Sequence, residues 1–286
     1  MNLASPKTVR ELLQRYGLEA KKGLGQNFLT DGNTLRRIVS AAEIGADDYV
    51  LEIGPGLGAL TRELAQKAHQ VVSVETDRTL TAVLAETLGE FSNIRLVYED
   101  FMRVPLSDLI DAEHPWKVVA NLPYYITTPI LFRLLEGASN LERLVFLVQK
   151  EVAQRAASPP GNKVYGALSV ALQHRCAVRI AGIVPPTVFM PPPKVESAIL
   201  VLEPKPNRID PEVQEIFEHV VEAAFRFRRK TLNNALTMGA PDLFDPDTLA
   251  GVRGELGIDL TKRGENLTVN DYETVASYLA ARRRRL

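Results

Sequence analysis

The chain has 286 residues, 45% hydrophobic and 24% charged, which suits a globular protein with one large domain and a small one. Its net charge of -1 excludes a polycation, so any nucleic-acid surface has to be local. A lone cysteine, Cys176, excludes an internal disulfide, and no Cys/His spacing is typical of a metal site. Neither a signal-peptide core nor a run near the roughly 18 apolar residues of a membrane span is present, so we expect a cytoplasmic protein.

The first predicted elements are two helices joined by a basic connection. Ser5 and Pro6 favour a helix start, and Gly17 ends that helix. The connection, residues 21–29, contains two lysines and two glycines. Asp31 then caps a second helix, whose apolar residues recur at helical spacing.

From residue 49 onward, predicted strands alternate with predicted helices. Strands are predicted over residues 49–53, 70–75, 94–98, 117–120 and 143–148, with helices over 58–67, 77–88 and 126–135. Helices from about residue 151 and over 165–173 precede two closing strands, 176–184 and 197–202. The pattern predicts an α/β fold with a doubly wound, mostly parallel, Rossmann-like sheet of seven strands. Ligands bind at the carboxyl ends of the strands in such sheets.

The chain changes character after residues 204–207, where prolines punctuate it and no strand signal follows. Helices are predicted over 211–225, 229–238, 247–256 and 269–284, which makes a small all-helical C-terminal domain. We therefore divide the chain into residues 1–206, with an N-terminal helical extension, and residues 207–286. Basic residues of the second part cluster at 226–230 and 282–285.

A glycine-rich turn follows the first strand of the sheet. Gly54 and Gly56 allow a ligand to approach the backbone, and the next helix points its N–H groups there. Glu75 ends the second strand, about 20 residues after Gly54, where an acidic residue typically takes ribose hydroxyls. Gly54, Gly56 and Ala59 also satisfy a dinucleotide pattern, so the turn alone leaves both cofactor classes open.

Two further features favour S-adenosylmethionine. Asp100 follows the third strand, where a carboxylate can accept from an adenine amino group, although a solvated acidic turn has the same sequence. The fourth strand ends in Asn121, Leu122, Pro123 and Tyr124. The Asn121 oxygen, the Leu122 or Pro123 carbonyl and an aromatic ring suit an exocyclic amine on a flat heteroaromatic ring. A strand-end turn with a buried tyrosine is the alternative.

Five motifs occur in an order typical of one family. They are Gly-Gln-Asn-Phe-Leu at 25–29, Glu-Ile-Gly-Pro-Gly-Leu-Gly at 52–58, Asn-Leu-Pro-Tyr-Tyr at 121–125, Phe-Met-Pro-Pro-Pro-Lys-Val-Glu-Ser at 189–197 and Arg-Arg-Lys-Thr-Leu at 228–232. The ordered set resembles the KsgA (RsmA) family of small-subunit (16S) rRNA adenine N6,N6-dimethyltransferases. The resemblance implies methyl transfer from S-adenosylmethionine to N6 of two adjacent adenosines near the 3′ end of that rRNA, during ribosome biogenesis.

The resemblance also implies site residues on a methyltransferase sheet. The cofactor-binding residues are Asn27, Leu29, Gly54, Gly56, Glu75, Asp100 and Asn121. The catalytic residues are Asn121, Leu122, Pro123, Tyr124 and Phe189. Tyr124 is expected to stack on the flipped adenine, and Phe189 is a second stacking candidate by resemblance, although its position before prolines is more typical of a packing residue. We assign Tyr125 to the core.

A basic segment of the second part surrounds an aromatic residue, and this combination predicts binding to RNA phosphates. Its cations are Arg226, Arg228, Arg229 and Lys230. A solvated helix face is the alternative. We expect a monomer without a metal that acts on small-subunit rRNA within a pre-ribosomal particle. Two other functions stay open: a large-subunit rRNA adenine methyltransferase of the antibiotic-resistance type, and a ribosome-assembly factor with a residual cofactor pocket.

Overall fold

The computed structural model describes residues 1–206 and 209–284, apart from the side chain of Lys22. It forms two compact units, Met1–Ala153 with Arg179–Pro204, and Gln154–Val178 with Lys205–Leu286. The division differs from the predicted one because residues 154–178 group with the C-terminal helices. Asn207, beside the predicted boundary, and Arg285, in the C-terminal arginine run, lie outside the described residues.

Strands and helices alternate as predicted from residue 49 onward, and one short strand, the first in the chain, lies in the predicted connection. The first elements are α1 (Pro6–Arg15), β1 (Phe28–Leu29), α2 (Gly32–Ala41), β2 (Tyr49–Ile53), α3 (Ala59–Ala65), β3 (Gln70–Val74), α4 (Thr81–Leu88), β4 (Ile94–Val97), β5 (Trp116–Asn121), α5 (Thr127–Gly137) and β6 (Leu141–Gln149). There follow α6 (Lys150–Ala156), α7 (Ala167–Arg175), β7 (Cys176–Val184), β8 (Phe189–Met190) and β9 (Ser197–Pro204). Both α6 and β7 cross from one unit into the other.

The large sheet has seven strands in the order β4-β3-β2-β5-β6-β9-β7, which confirms the predicted α/β fold. Neighbours from β4 to β6 are parallel, and β6 pairs antiparallel with β9. The central strands are buried almost throughout, as in a sheet covered on both faces. Because β2, β3, β4 and β5 run in the same direction, the residues that follow them meet at one edge.

The structure also contains a second, two-stranded sheet that the sequence pattern does not predict. Here β1 pairs antiparallel with β8, and Leu29 lies opposite Phe189. Both side chains are buried in a core cluster that includes Leu35 and Ile38 of α2. Two-residue strands have no measurable alternation, so hydrophobic periodicity cannot predict them.

The second unit is helical. Its later helices are α8 (Pro211–Arg226), α9 (Leu232–Gly239), α10 (Pro246–Gly254) and α11 (Val269–Arg283). Tyr165 and Val170 share the core of Phe217 and Val220, which explains why residues 154–178 belong to this unit. The prediction that a helix begins at residue 229 is wrong, because α9 starts after its N-cap, Thr231. Among the described residues, no helix is long and apolar enough to cross a membrane.

Candidate cofactor and substrate site

A cavity of the first unit opens where β2, β3, β4 and β5 end. Its lining includes every residue predicted to bind the cofactor: Asn27, Leu29, Gly54, Gly56, Glu75, Asp100 and Asn121. Leu122, Pro123 and Tyr124 also line it. Residues far apart in sequence therefore meet at one place, as the strand order requires.

The glycine turn leaves room for a ligand. Gly54 and Gly56 have φ of 74° and 59°, the left-handed region that favours glycine. A Cβ on Gly54 would meet no atom within 4 Å, so the space beside this backbone is open. A Cβ on Gly56 would lie 3.2 Å from Cδ1 of Phe28, so the turn also packs closely against the segment around β1.

Glu75 is held in place by backbone N–H groups at the end of β3. Its Oε1 accepts from the Asp77 nitrogen at 2.8 Å, and its Oε2 accepts from the Gly56 nitrogen at 3.2 Å. Burial raises the pKa of Glu75, while these hydrogen bonds oppose the shift. Each carboxylate oxygen retains a lone pair for a further donor, such as a ribose hydroxyl.

Asp77, which sequence reasoning did not single out, fastens one wall of the cavity. This wall segment, residues 21–29, is tied down by Lys21 Nζ and Gln26 Nε2, which donate to the Asp77 carboxylate at 2.7 and 2.9 Å. Burial acts to raise the pKa of Asp77, but hydrogen bonds from Lys21, Thr79 and Gln26 outweigh it and lower the pKa to about 2. The Asp77 carboxylate therefore stays ionised at neutral pH and keeps its contacts with Lys21 and Gln26.

The wall segment also orients Asn121. The Nδ2 atom of Asn121 donates to the Asn27 carbonyl at 3.0 Å, which assigns Oδ1 as the remaining acceptor. The Pro123 carbonyl already accepts from the Ile126 nitrogen at 3.3 Å and from Thr127 Oγ1 at 3.2 Å. Of the two carbonyls considered from sequence, this favours Leu122 as the partner of Asn121 Oδ1.

The two neighbouring tyrosines have different surroundings. The Tyr124 hydroxyl is 2.7 Å from Oγ of the fully buried Ser197, and burial raises the pKa of Tyr124. Tyr125 is 63% exposed and lines the cavity, so its assignment to the core was wrong. The strand ends at Asn121 and Pro123 interrupts the extended pairing, so the strand's alternation does not reach Tyr125.

Glu52 is a buried acid in the lining of the cavity. It belongs to the motif at residues 52–58, but the motif did not indicate a role for it. Its Oε2 accepts from Ser73 Oγ at 2.6 Å, while its buried Oε1 has no hydrogen-bond partner. Burial raises the pKa of Glu52 to about 7, and the charge of Glu75 adds to the shift. A cationic ligand group would satisfy the free oxygen.

Charge distinguishes between the two cofactor classes left open by the glycine turn. The described lining residues include four acids, Glu52, Glu75, Glu99 and Asp100, and no lysine, arginine or histidine. This lining suits a cationic ligand and opposes the phosphates of a dinucleotide. Across residues 1–206 and 209–284, no group of three or more His, Cys, Asp or Glu side chains is placed to hold a metal ion.

Phe189 is not among the residues that line the cavity. It is 4% exposed and packs in the core beside Leu29. Its predicted stacking on adenine stays a prediction and would require the ring to become accessible.

The predicted RNA-binding residues lie in the second unit, at the turn between α8 and α9. We call residues 226–230 the basic turn. Arg226, Arg229 and Lys230 are exposed. Arg228 is exposed as well, but it also donates to the carbonyls of Tyr165, at 2.9 Å, and Lys163, and pairs with Glu265 at 3.4 Å. The predicted cluster therefore contains four exposed cations, one of which is held by contacts to residues 163–165 and Glu265.

The family of ribosomal RNA adenine dimethylases matches residues 17–281. The chain belongs to this family. The dimethylase resembles, at 45% identity, the ribosomal RNA small subunit methyltransferase A of Lactiplantibacillus plantarum, over 98% of this chain and 96% of the relative. A protein of the same name from Ligilactobacillus salivarius is 44% identical over 97% of this chain and 96% of the relative.

Solved structures support the fold of this dimethylase. A dimethyladenosine transferase from Plasmodium falciparum superposes with a TM-score of 0.77 at 26% identity, covering 88% of this chain and 97% of that one. The 23S rRNA methyltransferase ErmE gives a TM-score of 0.71 at 28% identity, over 89% of this chain and all of that one. A protein named as a dimethyladenosine transferase and one named as a 23S rRNA methyltransferase thus share this fold.

Proposed function

We propose that the protein transfers methyl groups from S-adenosylmethionine to N6 of two adjacent adenosines near the 3′ end of small-subunit rRNA, giving N6,N6-dimethyladenosine. The observation that carries the proposal is the cavity in which Asn121 and its neighbours lie beside Glu75 and Asp100. Family membership supports the reaction class. Two relatives named as small-subunit rRNA methyltransferases are 45% and 44% identical to this chain, whereas the 23S rRNA methyltransferase ErmE is 28% identical. These identities favour the small subunit as the target over the large subunit.

The cofactor is held by the carboxyl ends of β2, β3 and β4. Glu75 would take the ribose hydroxyls and Asp100 would accept from the adenine amino group, while Gly54 and Gly56 leave the backbone open to the ligand. Glu52 provides a buried acceptor for the positively charged amino-acid part. When bound, S-adenosylmethionine supplies a methyl group on a positively charged sulfur.

The target adenine is activated by hydrogen bonds that favour a pyramidal N6. Its lone pair is delocalised into the ring, so the free amine is a poor nucleophile. Asn121 Oδ1 and the Leu122 carbonyl accept its two N–H groups and aim the lone pair at the methyl carbon. This arrangement acts on the transition state by position and charge, without a covalent enzyme intermediate. No strong base is needed beforehand, because the nitrogen becomes acidic once it is methylated.

The adenine leaves its own stack to reach this site. Tyr124 receives it, and stacking of a base on an aromatic ring is worth about 1–3 kcal/mol. The hydrogen bond to Ser197 fixes the Tyr124 ring. Arg226, Arg229 and Lys230 of the basic turn bind phosphates of the rRNA. The substrate is a pre-ribosomal small subunit in the cytoplasm, and the protein acts as a monomer.

The decisive experiment incubates the protein with labelled S-adenosylmethionine and either unmethylated small subunits or large subunits. We expect label in the small-subunit rRNA, and a primer-extension stop at two adjacent adenosines. Small subunits that already carry the modification are the control and should take up no label. Label in large subunits would indicate the antibiotic-resistance type of enzyme. Cofactor binding without methyl transfer to either subunit would indicate an assembly factor.

A further inference from the structure

The loop that follows β4 shapes one side of the cavity. We call residues 99–104 the β4 loop, and Asp100, Phe101 and Met102 of this loop line the cavity. The Met102 nitrogen donates to Asp100 Oδ1 at 2.9 Å, and the Val104 nitrogen donates to the Asp100 carbonyl at 3.0 Å. The other carboxylate oxygen, Oδ2, lies 3.5 Å from Nε of the exposed Arg103. The orientation of the Asp100 carboxylate therefore depends in part on where the backbone of Met102 lies.

Arg133 holds the β4 loop from outside the cavity. It lies on α5, the helix that begins directly after residues 121–126. Its two terminal nitrogens donate to the carbonyls of Met102 and Val104, and its guanidinium lies 5.3 Å from the centre of the Phe101 ring. One side chain thus contacts three successive parts of the loop.

The contacts form a short route to the carboxylate. Met102 accepts from Arg133 through its carbonyl and donates to Asp100 through its nitrogen. A planar guanidinium can hold two carbonyls in fixed directions, which the single ammonium of a lysine cannot reproduce. Because α5 begins directly after residues 121–126, the helix that follows Asn121 also carries the side chain that contacts the β4 loop.

We propose that Arg133 is a positioning residue that makes the site selective for adenine in the cofactor, by holding Met102 and Val104 so that Asp100 faces the amino group. The inference rests on the proposed function, which assigns the adenine amino group to Asp100. Nothing in the sequence motifs points to Arg133, which lies outside all five.

The chain contains a matched control for a purely structural role. Arg95 on β4 also donates to two backbone carbonyls, those of Asp108 at 2.9 Å and Leu109 at 2.7 Å. None of these three residues is among those that line the cavity. Arg95→Met and Arg133→Met therefore remove the same kind of contact, one remote from the cavity and one behind its wall.

The test compares two ligands that differ at one position. S-adenosylhomocysteine carries the amino group, whereas S-inosylhomocysteine has a carbonyl oxygen there, which a carboxylate repels. We expect the parent protein to prefer the adenosyl ligand by about tenfold or more in calorimetric titration, the size expected for one hydrogen bond to a charged group. Arg133→Met should lose most of this preference. Arg95→Met should keep the preference for the adenosyl ligand, although its melting temperature should be close to that of Arg133→Met.

A double-mutant cycle with Asp100→Asn tests the route. The Asp100→Asn variant should lose the preference, and adding Arg133→Met should lower it no further, because both act through one carboxylate. Should Arg133→Met fail to fold, Arg133→Lys serves in its place. It keeps the charge and one donor and should retain only part of the preference.

Different results would overturn different statements. If Arg133→Met, or its lysine substitute, keeps the full preference while Asp100→Asn loses it, the inference about Arg133 is wrong and the proposed function stands. Equal losses in Arg95→Met and Arg133→Met would also refute it, since the effect would then follow from stability alone. A parent protein that binds both ligands equally would contradict the assignment of Asp100, and with it the inference.

Discussion

The cavity of the first unit and the basic turn of the second unit carry charge in opposite ways. In the cavity, Glu52 and Glu75 are buried, and hydrogen bonds fix them. In the basic turn, Arg229 and Lys230 are exposed, and no ion pair is found for either within the described part of the chain. Buried fixed charges select one ligand and orient it, whereas exposed cations attract a polyanion without specifying its sequence. On the proposed function, we therefore expect the chemistry to lie in the first unit and substrate capture in the second.

The largest expected effect comes from removing the Asn121 side chain, which holds the adenine amino group in the proposed function. Asn121→Ala should slow methyl transfer by about 10²–10³-fold, the cost of losing one preorganised hydrogen-bonding group. Affinity for small subunits should change little, because the basic turn is intact. Asn140→Ala is the control, since Asn140 Nδ2 also donates to backbone carbonyls, those of Asp111 and His114, and does not line the cavity. Equal rates for both variants would remove Asn121 from the chemistry.

The pH dependence of stability tests the buried acid in the cavity. The pKa of Glu52 is raised from 4.5 to about 7, so the carboxyl is protonated in both folded and unfolded states below pH 4.5. Between pH 4.5 and 7 the Glu52 carboxyl ionises in the unfolded state but stays protonated in the folded state. The free energy of unfolding therefore falls as the pH rises, by about 3 kcal/mol in total once the pH exceeds 7. Glu52→Gln should lack this loss. Urea unfolding of ligand-free protein at pH 5 and pH 8 would measure it, and parallel pH profiles would contradict the assignment.

The basic turn should affect the salt dependence of RNA binding. Replacing Arg226, Arg229 and Lys230 with Ala should make the slope of log affinity against log salt shallower by about two to three units, at 0.7–0.9 per phosphate contact. Cofactor affinity should not change, because none of the three lines the cavity.

The control for this variant replaces three exposed cations elsewhere in the same unit, Arg253, Lys262 and Arg263, with Ala. An equal change in slope would show that total charge, and not the turn, determines binding. Arg228→Ala, tested separately, should lower the free energy of unfolding, because the Arg228 guanidinium donates to the Tyr165 and Lys163 carbonyls. It should change the salt slope less than the triple variant does.

The smallest effect is expected at Tyr124. Tyr124→Phe keeps the ring and should transfer methyl groups at nearly the parent rate, while Tyr124→Ala should be slower because stacking is lost. The phenylalanine variant leaves the buried Ser197 hydroxyl unpaired, which costs about 1–3 kcal/mol of stability. Adding Ser197→Ala should restore most of it. A phenylalanine variant as slow as the alanine variant would contradict the stacking role.

The sequence predicted those parts of the site that come from strand ends. Apolar runs followed by Gly54, Glu75, Asp100 and Asn121 indicate parallel strands, and parallel strands bring their carboxyl ends together. The cavity that contains all four follows from topology alone.

The parts that the sequence did not predict depend on contacts between distant residues. Asp77 holds the wall segment from 51 residues beyond Gln26, and Ser197 reaches Tyr124 across 73 residues. Arg133 resembles any arginine on a helix face until its two carbonyl partners are known. Likewise, no local pattern indicates that Arg228 donates to backbone carbonyls of residues 163 and 165.

The bond between Asn121 and the Asn27 carbonyl has a consequence for how two methyl groups reach one nitrogen. Dimethylation needs two cofactor molecules in turn, so the cavity has to be emptied and refilled between the transfers. The wall that lines the cofactor cavity is the same piece of chain that aims Asn121. We therefore expect each exchange to disturb the alignment for the next transfer. We expect the share of monomethylated intermediate that escapes to depend on how quickly this wall resettles, which makes the wall segment a determinant of processivity.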